Sequence, residues 1–162
     1  MLSLARFLCL AVALMFAASV RAQAPVVPNS DQQAMLVSPD PKLAANKQLV
    51  YDFWREVFEG LHMELAPKYL TDAYIQHNPN VPSGRAAFVD AFSKRGQPKT
   101  IEARVQAPLV SVVAERDLVI LVFAREYADP KDAAQKYTTT WFDMFRIENG
   151  KIAEHWDPAL KR

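Results

Sequence analysis

A carboxylate held against an imidazole can take a proton from a weak carbon acid or from water, and the last third of this chain carries the residues for that chemistry. Asp143 lies on one side of the turn sequence Glu148-Asn149-Gly150, with Glu154, His155 and Asp157 on the other. The runs flanking the turn are rich in Thr, Phe, Ile and Trp, so they read as the two strands of a hairpin. A carboxylate across the hairpin from His155 would fix its tautomer and raise its basicity, or serve as a plain structural hydrogen bond.

Which side chains meet depends on the register, because a slip of one residue turns a strand over. If Asn149 and Gly150 form a two-residue turn, Ile147 faces Ile152, Phe145 faces Glu154 and Asp143 faces Trp156. If Glu148, Asn149 and Gly150 form a type I turn closed by a Gly bulge, Phe145 faces Ala153, Asp143 faces His155 and Trp141 faces Asp157. The second is favoured, since Asn tolerates the bridge region and Gly the positive φ that follows it. It gathers Trp141, Asp143, His155 and Asp157 on one face, and Phe142, Met144, Ile152 and Trp156 on the other. In the first register Glu154 becomes the competing pocket acid.

Other polar groups are placed to assist. Tyr74, His77 and Asn78 precede Pro79, where His77 and Asn78 equally suit a turn cap. Arg125 and Tyr127 alternate onto one strand face. Asp143 is expected to be functional, or else salt-bridged to Arg125 or Arg104, because an unpaired buried carboxylate is costly.

These residues need elements to hold them. Residues 1–22 carry Arg6, an apolar run from Phe7 to Val20 and small residues before Gln23, the order of a cleavable secretory signal. Export to the periplasm or the medium is expected, with no membrane span after cleavage. Residues 23–41, rich in Pro, Ala, Gln and Ser, read as a flexible leader, and 42–162 as one domain. Leu49, Val50, Phe53, Trp54, Val57, Phe58 and Leu61 recur at helical spacing up to Gly60. A broken helix around Met63 to Leu70 holds Pro67, and a third helix carries Phe88, Val89 and Phe92 with Ser83 as its expected N-cap. Four strands then follow, at Ile101–Ala114, Leu118–Tyr127, Tyr137–Ile147 and Lys151–Asp157. Three helices followed by an antiparallel meander give an α+β fold in which the helices and a curved sheet enclose a pocket.

Composition excludes several functions. Cys9 is the sole cysteine and lies in the signal, so thiol chemistry and disulfides are not expected. The formal charge of +1 is spread along the chain, which argues against nucleic acid. His62, His77 and His155 lack the spacing of a metal pair, so no metal site is expected. With four glycines and no phosphate-cradling loop, no cofactor is expected either. An outer β face bearing Phe142, Met144, Ile152 and Trp156 predicts a homodimer.

The stretch Tyr74-Ile75-Gln76-His77-Asn78-Pro79 and the closing Phe142-Asp143-Met144-Phe145-Arg146 through Gly150-Lys151-Ile152 to Glu154-His155-Trp156-Asp157 together resemble the SnoaL-like polyketide cyclase family of the NTF2-like superfamily. The resemblance runs from about Leu43 to Asp157 and implies the cone fold of that superfamily around a deep pocket. It also implies a cofactor-free intramolecular aldol closure in which an aspartate of the penultimate strand, here Asp143, is acid and base. Limonene epoxide hydrolases share the fold; their last-strand Asp looks like Asp157 and their Arg like Arg125, but the Asp two residues after that Arg is Tyr127 here. The resemblance therefore favours aldol, enolisation or isomerisation chemistry on a small apolar carbonyl compound. On this reading Asp143, His155, Asp157 and His77 are the catalytic candidates, and Asn78, Tyr74, Arg125, Tyr127 and Trp141 hold the substrate. The alternatives are a non-catalytic periplasmic binder of small molecules and a module that docks a partner.

Overall fold

The computed structural model describes residues 23–162, so the expected signal at 1–22 lies outside the described residues. No helix among the described residues is long and apolar enough to cross a membrane. Residues 23–41 depart from the expected flexible leader. They hold a short helix, α1 (Gln32–Leu36), capped by Asp31. The Val26 N–H donates to Thr138 Oγ1 at 2.7 Å and the Asn29 N–H to the Leu109 carbonyl at 2.9 Å. Buried Gln32 satisfies both polar groups of Val105, donating to its carbonyl and accepting from its N–H, and also accepts from Tyr51 Oη at 2.6 Å. One amide and a few backbone bonds tie the segment down, and such ties leave no hydrophobic period in a sequence.

α2 (Pro41–Phe53) begins where its signals place it: Asp40 accepts from the N–H groups of Lys42 and Leu43, and Pro41 occupies the first turn. The helix then widens into a π-helical stretch, Trp54–Glu59, closed by the Gly60 N–H donating to the Arg55 carbonyl. A Cβ on Gly60 would lie 2.6 Å from the Glu56 carbonyl oxygen, so the tight exit requires glycine. The wide turn leaves Trp54 and Phe58 stacked at 4.1 Å between centroids. A 3₁₀ turn (Met63–Leu65) and α3 (Ala66–Tyr69) follow, with Pro67 in the first turn of α3, as the broken-helix reading expects. α4 (Arg85–Ser93) starts from Gly84 at φ 97°. Ser83 does not cap it; its hydroxyl accepts from the Gln76 N–H instead.

The strands are β1 (Leu70–Gln76), β2 (Leu109–Glu115), β3 (Leu118–Ala128), β4 (Lys136–Glu148) and β5 (Lys151–Trp156), in the order β1-β5-β4-β3-β2. β1 is the strand the sequence conceals. It pairs parallel with β5, Gln76 abreast of His155, and its pairing is irregular between Leu70 and Ile75, which breaks the alternation a reader would look for. β2 begins at Leu109 rather than Ile101, because Val105 spends its backbone groups on Gln32. One sheet face packs on the helices, where the Phe53 ring meets Tyr69, Phe88 and Phe145 at about 6 Å. The opposite face carries exposed Ile75, Val113 and Phe142.

The last hairpin follows neither expected register throughout. Asn149 and Gly150, at φ 51° and 72°, make a two-residue turn with both residues left-handed, so Ile147 pairs with Ile152 and Glu148 with Lys151. The register then shifts: Arg146 pairs with Glu154, Phe145 with His155 and Met144 with Trp156. The extra residue is Ala153, and both it and Ile152 are buried. This bulge restores the parity of the expected register without its pairs, so His155 and Asp157 turn inward and Glu154 outward. Ile152 is a core residue rather than part of the outer face, which corrects that expectation.

Gly150 sits at positive φ with open space around it, so Gly150→Ala is a test of backbone strain alone. It is expected to lower stability by about 1–2 kcal/mol in chemical denaturation; no loss would mean that the turn does not hold this conformation in solution.

Candidate active site

Between the helices and the concave face of the sheet lies a cavity of about 480 Å³. Phe53, Trp54, Phe58, Phe88 and Phe92 form its helical wall, and Phe145 of β4 lines it from the sheet. The sequence-predicted Tyr74, Asn78, Arg125, Tyr127, Trp141, Asp143, His155 and Asp157 all line it. The alternation of β3 delivers Arg125 and Tyr127, β4 delivers Trp141 and Asp143, and the Ala153 bulge delivers His155 and Asp157.

His77 is the exception. Tyr74, Gln76 and Asn78 point into the cavity, and the alternation of an extended strand sends Ile75 and His77 to the other face. There His77 stacks on Trp156 at 4.6 Å and bonds Glu154 Oε2 at 3.0 Å, with Glu154 also paired to Arg146. Its expected catalytic role is therefore withdrawn: it belongs to a surface cluster. Glu154 is held below the usual carboxylate range by these bonds, first from His77 and then from Arg146.

At the centre, His155 Nε2 lies 3.0 Å from Asp143 Oδ1, and both residues are buried, at 7% and 4% exposure. His155 Nδ1 lies 2.7 Å from Gln76 Oε1. Which nitrogen carries the proton follows from the surrounding network. Gln76 Oε1 also accepts from the Asn78 backbone N–H at 3.0 Å, and Gln76 Nε2 donates to Tyr74 Oη at 3.1 Å. A backbone N–H can only donate, so the amide has one orientation, and Nδ1 must be the donor to it. Nε2 and Asp143 are left to share a single mobile proton, either as carboxylic acid and neutral imidazole or as carboxylate and imidazolium.

Burial is the main influence on Asp143 and pushes its pKa up; the hydrogen bond and charge of His155 pull it back, Asp157 adds to the rise and Arg125 opposes it. Asp143 Oδ2 is buried and has no hydrogen-bond partner among the described residues. Burial, and then the charges of Asp143 and Asp157, raise the Tyr74 phenol above its ordinary range, so it stays a neutral donor. It already accepts from Gln76, which frees its own proton for the cavity. Asp157 is fixed by Asn78 Nδ2 at 2.7 Å and by the Ala159 N–H at 2.9 Å.

Gln76 is the residue that sequence reasoning missed. Its signal was present in the Tyr74-Ile75-Gln76 alternation, but only once that stretch is known to be a strand. Spacing along the chain also concealed a cluster: atoms of Asp143, His155 and Asp157 lie within 4.8 Å of one another, a donor set that a divalent cation accepts. His155 Nε2 and Asp143 Oδ1 face each other within it.

A family profile described as the SnoaL-like domain matches residues 50–155. A protein from Acidithiobacillus ferrooxidans assigned as a polyketide cyclase is 15% identical, with 75% of this chain and 89% of that one covered at a TM-score of 0.50. An LEH-like epoxide hydrolase from M. tuberculosis is 11% identical, with 73% and 80% covered at a TM-score of 0.50. No curated protein matches the chain. The fold is the NTF2-like cone.

Gln76→Leu is expected to release the imidazole, and ¹⁵N NMR of His155 should then show the Nδ1–H tautomer give way to a mixture. Gln76→Glu, which still accepts from Nδ1, should retain it. A tautomer indifferent to both changes would break the assignment.

Proposed function

Because the chain belongs to the SnoaL-like domain family, we propose that it is a cofactor-independent enzyme that moves a proton at a carbon next to a carbonyl, of the aldol, enolisation or isomerisation type. The observation that carries this reading is the buried Asp143 of the cavity lining, with one oxygen bonded to a histidine of fixed tautomer and the other without a hydrogen-bond partner among the described residues.

In the proposed step the Asp143 carboxylate takes the α-proton: the C–H bond breaks, an O–H bond forms, and the electron pair passes into an enolate. The enolate oxygen accepts from Tyr74 Oη, with Arg125 supplying positive charge from the same wall. Donors preorganised in a buried site are worth several kcal/mol to such a charge. His155, its Nδ1 proton committed to Gln76, donates its Nε2 proton to Asp143 Oδ1 and holds the carboxylate ionised; the base is reset when Asp143 returns the captured proton to the product. In an aldol closure the enolate carbon attacks a second carbonyl of the same substrate, and the stored proton goes to the resulting alkoxide. The aromatic wall suits a carbonyl compound with an apolar body. Export through residues 1–22 places the reaction in the periplasm or the medium, and association of two copies through the outer sheet face completes the proposal. Phe142, 46% exposed, leaves apolar surface there.

Asp143→Asn tests the chemistry. Its amide can still donate to His155 Nε2, so the variant is expected to melt no lower than the wild type at neutral pH. Exchange of α-protons of small aryl ketones in D₂O, followed by NMR, should fall by about 10²–10⁴-fold. Equal exchange by both proteins would end the proposal.

The pH dependence has a definite sign. A base must be ionised, so exchange should fail as pH drops through the raised pKa of Asp143, above the ordinary aspartate range. Between the unfolded and the raised folded value the folded state binds the extra proton, so this group's contribution to stability is lost as pH rises through that window. Asp143→Asn should flatten that part of the stability profile; an unchanged profile would contradict the burial argument.

For the outer face, Phe142→Glu is expected to convert a dimer to a monomer in light scattering, and a monomeric wild type would remove that part of the proposal.

A further inference from the structure

The arginines of this chain divide into two sets. Arg55, Arg85, Arg116 and Arg146 are ion-paired with carboxylates, and Arg104 bonds the Ser30 carbonyl. Among the described residues, the arginines whose side chains bond no protein group are Arg95, Arg125 and Arg162, and these three line the cavity. All three are exposed, so they stand at its open side while Asp143 and His155 are buried.

Each is held in place with no hydrogen bond or ion pair to its guanidinium among the described residues. The Arg95 guanidinium carbon lies over the wall, 3.7 Å from the Phe92 ring centroid and 5.4 Å from that of Phe58. Arg125 lies 5.2 Å from the Trp141 ring centroid. Arg162 is brought to the rim by Asn80, whose Oδ1 accepts from the Arg162 N–H at 2.9 Å while its Nδ2 donates to the Leu160 carbonyl at 2.9 Å. Partial desolvation and then the like charge of Arg162 both lower the pKa of Arg95. Positive groups gathered at one mouth repel each other, and the carboxylates of the cavity, Asp143 and Asp157, are bound to His155, Asn78 and the Ala159 N–H instead.

We propose that the mouth of this cavity is a carboxylate-binding subsite built from Arg95 and Arg162, so that the substrate is a small carbonyl compound bearing a carboxylate. The planar guanidinium offers paired donors that match a carboxylate, and the Phe92 and Phe58 rings hold that of Arg95 in place. Arg125, nearer to Asp143, serves the reacting end. The charge layout orients such a substrate: its anion stays at the arginines, away from Asp143 and Asp157, and its apolar body lies along the aromatic wall. The proposal rests on the acid/base reading of the same cavity for where the carbonyl goes, while the anion subsite is read by binding alone.

The test uses two probes of one shape, 4-oxo-4-phenylbutanoate and its primary amide, titrated calorimetrically into the full mature chain. The wild type is expected to bind the carboxylate at least about tenfold more tightly than the amide, roughly one charge-assisted bond. Added salt should shrink that preference. Arg95→Gln with Arg162→Gln should abolish it with amide affinity unchanged, and Arg95→Lys should restore part of it. Asp143→Asn should preserve it, so that a failed exchange assay and a failed subsite are separate results. Equal binding of the two probes, no binding of the carboxylate, or a preference that survives loss of both arginines would overturn the proposal.

Discussion

Ala153 has no partner on the opposite strand, and the inner surface of the cavity depends on that extra residue. The Asn149-Gly150 turn by itself would face Phe145 with Glu154 and Asp143 with Trp156, putting an acid and an indole where the site has an imidazole. Inserting one residue after Ile152 reverses the parity of everything beyond it, so His155 and Asp157 enter the cavity. The same insertion sends Glu154 outward to Arg146 and His77. A bulge also bends and twists its strand, which suits a sheet that must curve around a cavity. Alanine is small enough for two consecutive residues to be buried there.

The cavity is then maintained by aromatic packing on one side and a polar network on the other. Phe53 joins α2 to α3, α4 and β4, and the π-helical turn beyond it keeps both Trp54 and Phe58 on the wall. Opposite them, Tyr74, Gln76, Asn78, Asp143, His155 and Asp157 form one connected set of hydrogen bonds. Buried polar groups are tolerable when each is satisfied, and the one oxygen of this set left without a partner belongs to Asp143. Gln76 is central to this order: an amide with one possible orientation dictates the tautomer of its neighbour.

Charge is graded along the cavity. Burial raises the proton affinity of Asp143 at the enclosed end, and exposed arginines without protein partners stand at the mouth. The SnoaL-like family and the NTF2-like cone set the scaffold, but a cone of this kind hosts many chemistries, so function is argued from the groups in the cavity. A base, a neutral phenol donor and a cationic rim together describe a site that deprotonates, stabilises and orients.

Sequence alone determined the class of the fold. Apolar period, Pro and Gly positions and β-branched runs are local properties, and they located α2, the broken helix, α4 and four of the five strands, β2 with too early a start. It also determined which carboxylates and which histidine of the closing hairpin were candidates, because residue type and strand parity are readable one residue at a time. Tertiary structure decided what depends on contacts between distant segments. The bulge at Ala153 could not be read because its cause is curvature of the whole sheet. β1 stayed hidden because it gains its strand character by pairing with β5, some eighty residues later in the chain. For the same reason Gln76 was overlooked and His77 overvalued, since only that pairing says which of two adjacent polar residues faces His155. The packing of residues 23–41 rests on single hydrogen bonds from Val26, Asn29 and Gln32 and on the burial of Leu36, too little to leave a pattern. Arg95, Arg125 and Arg162, far apart in the chain, share one mouth because the fold brings them there.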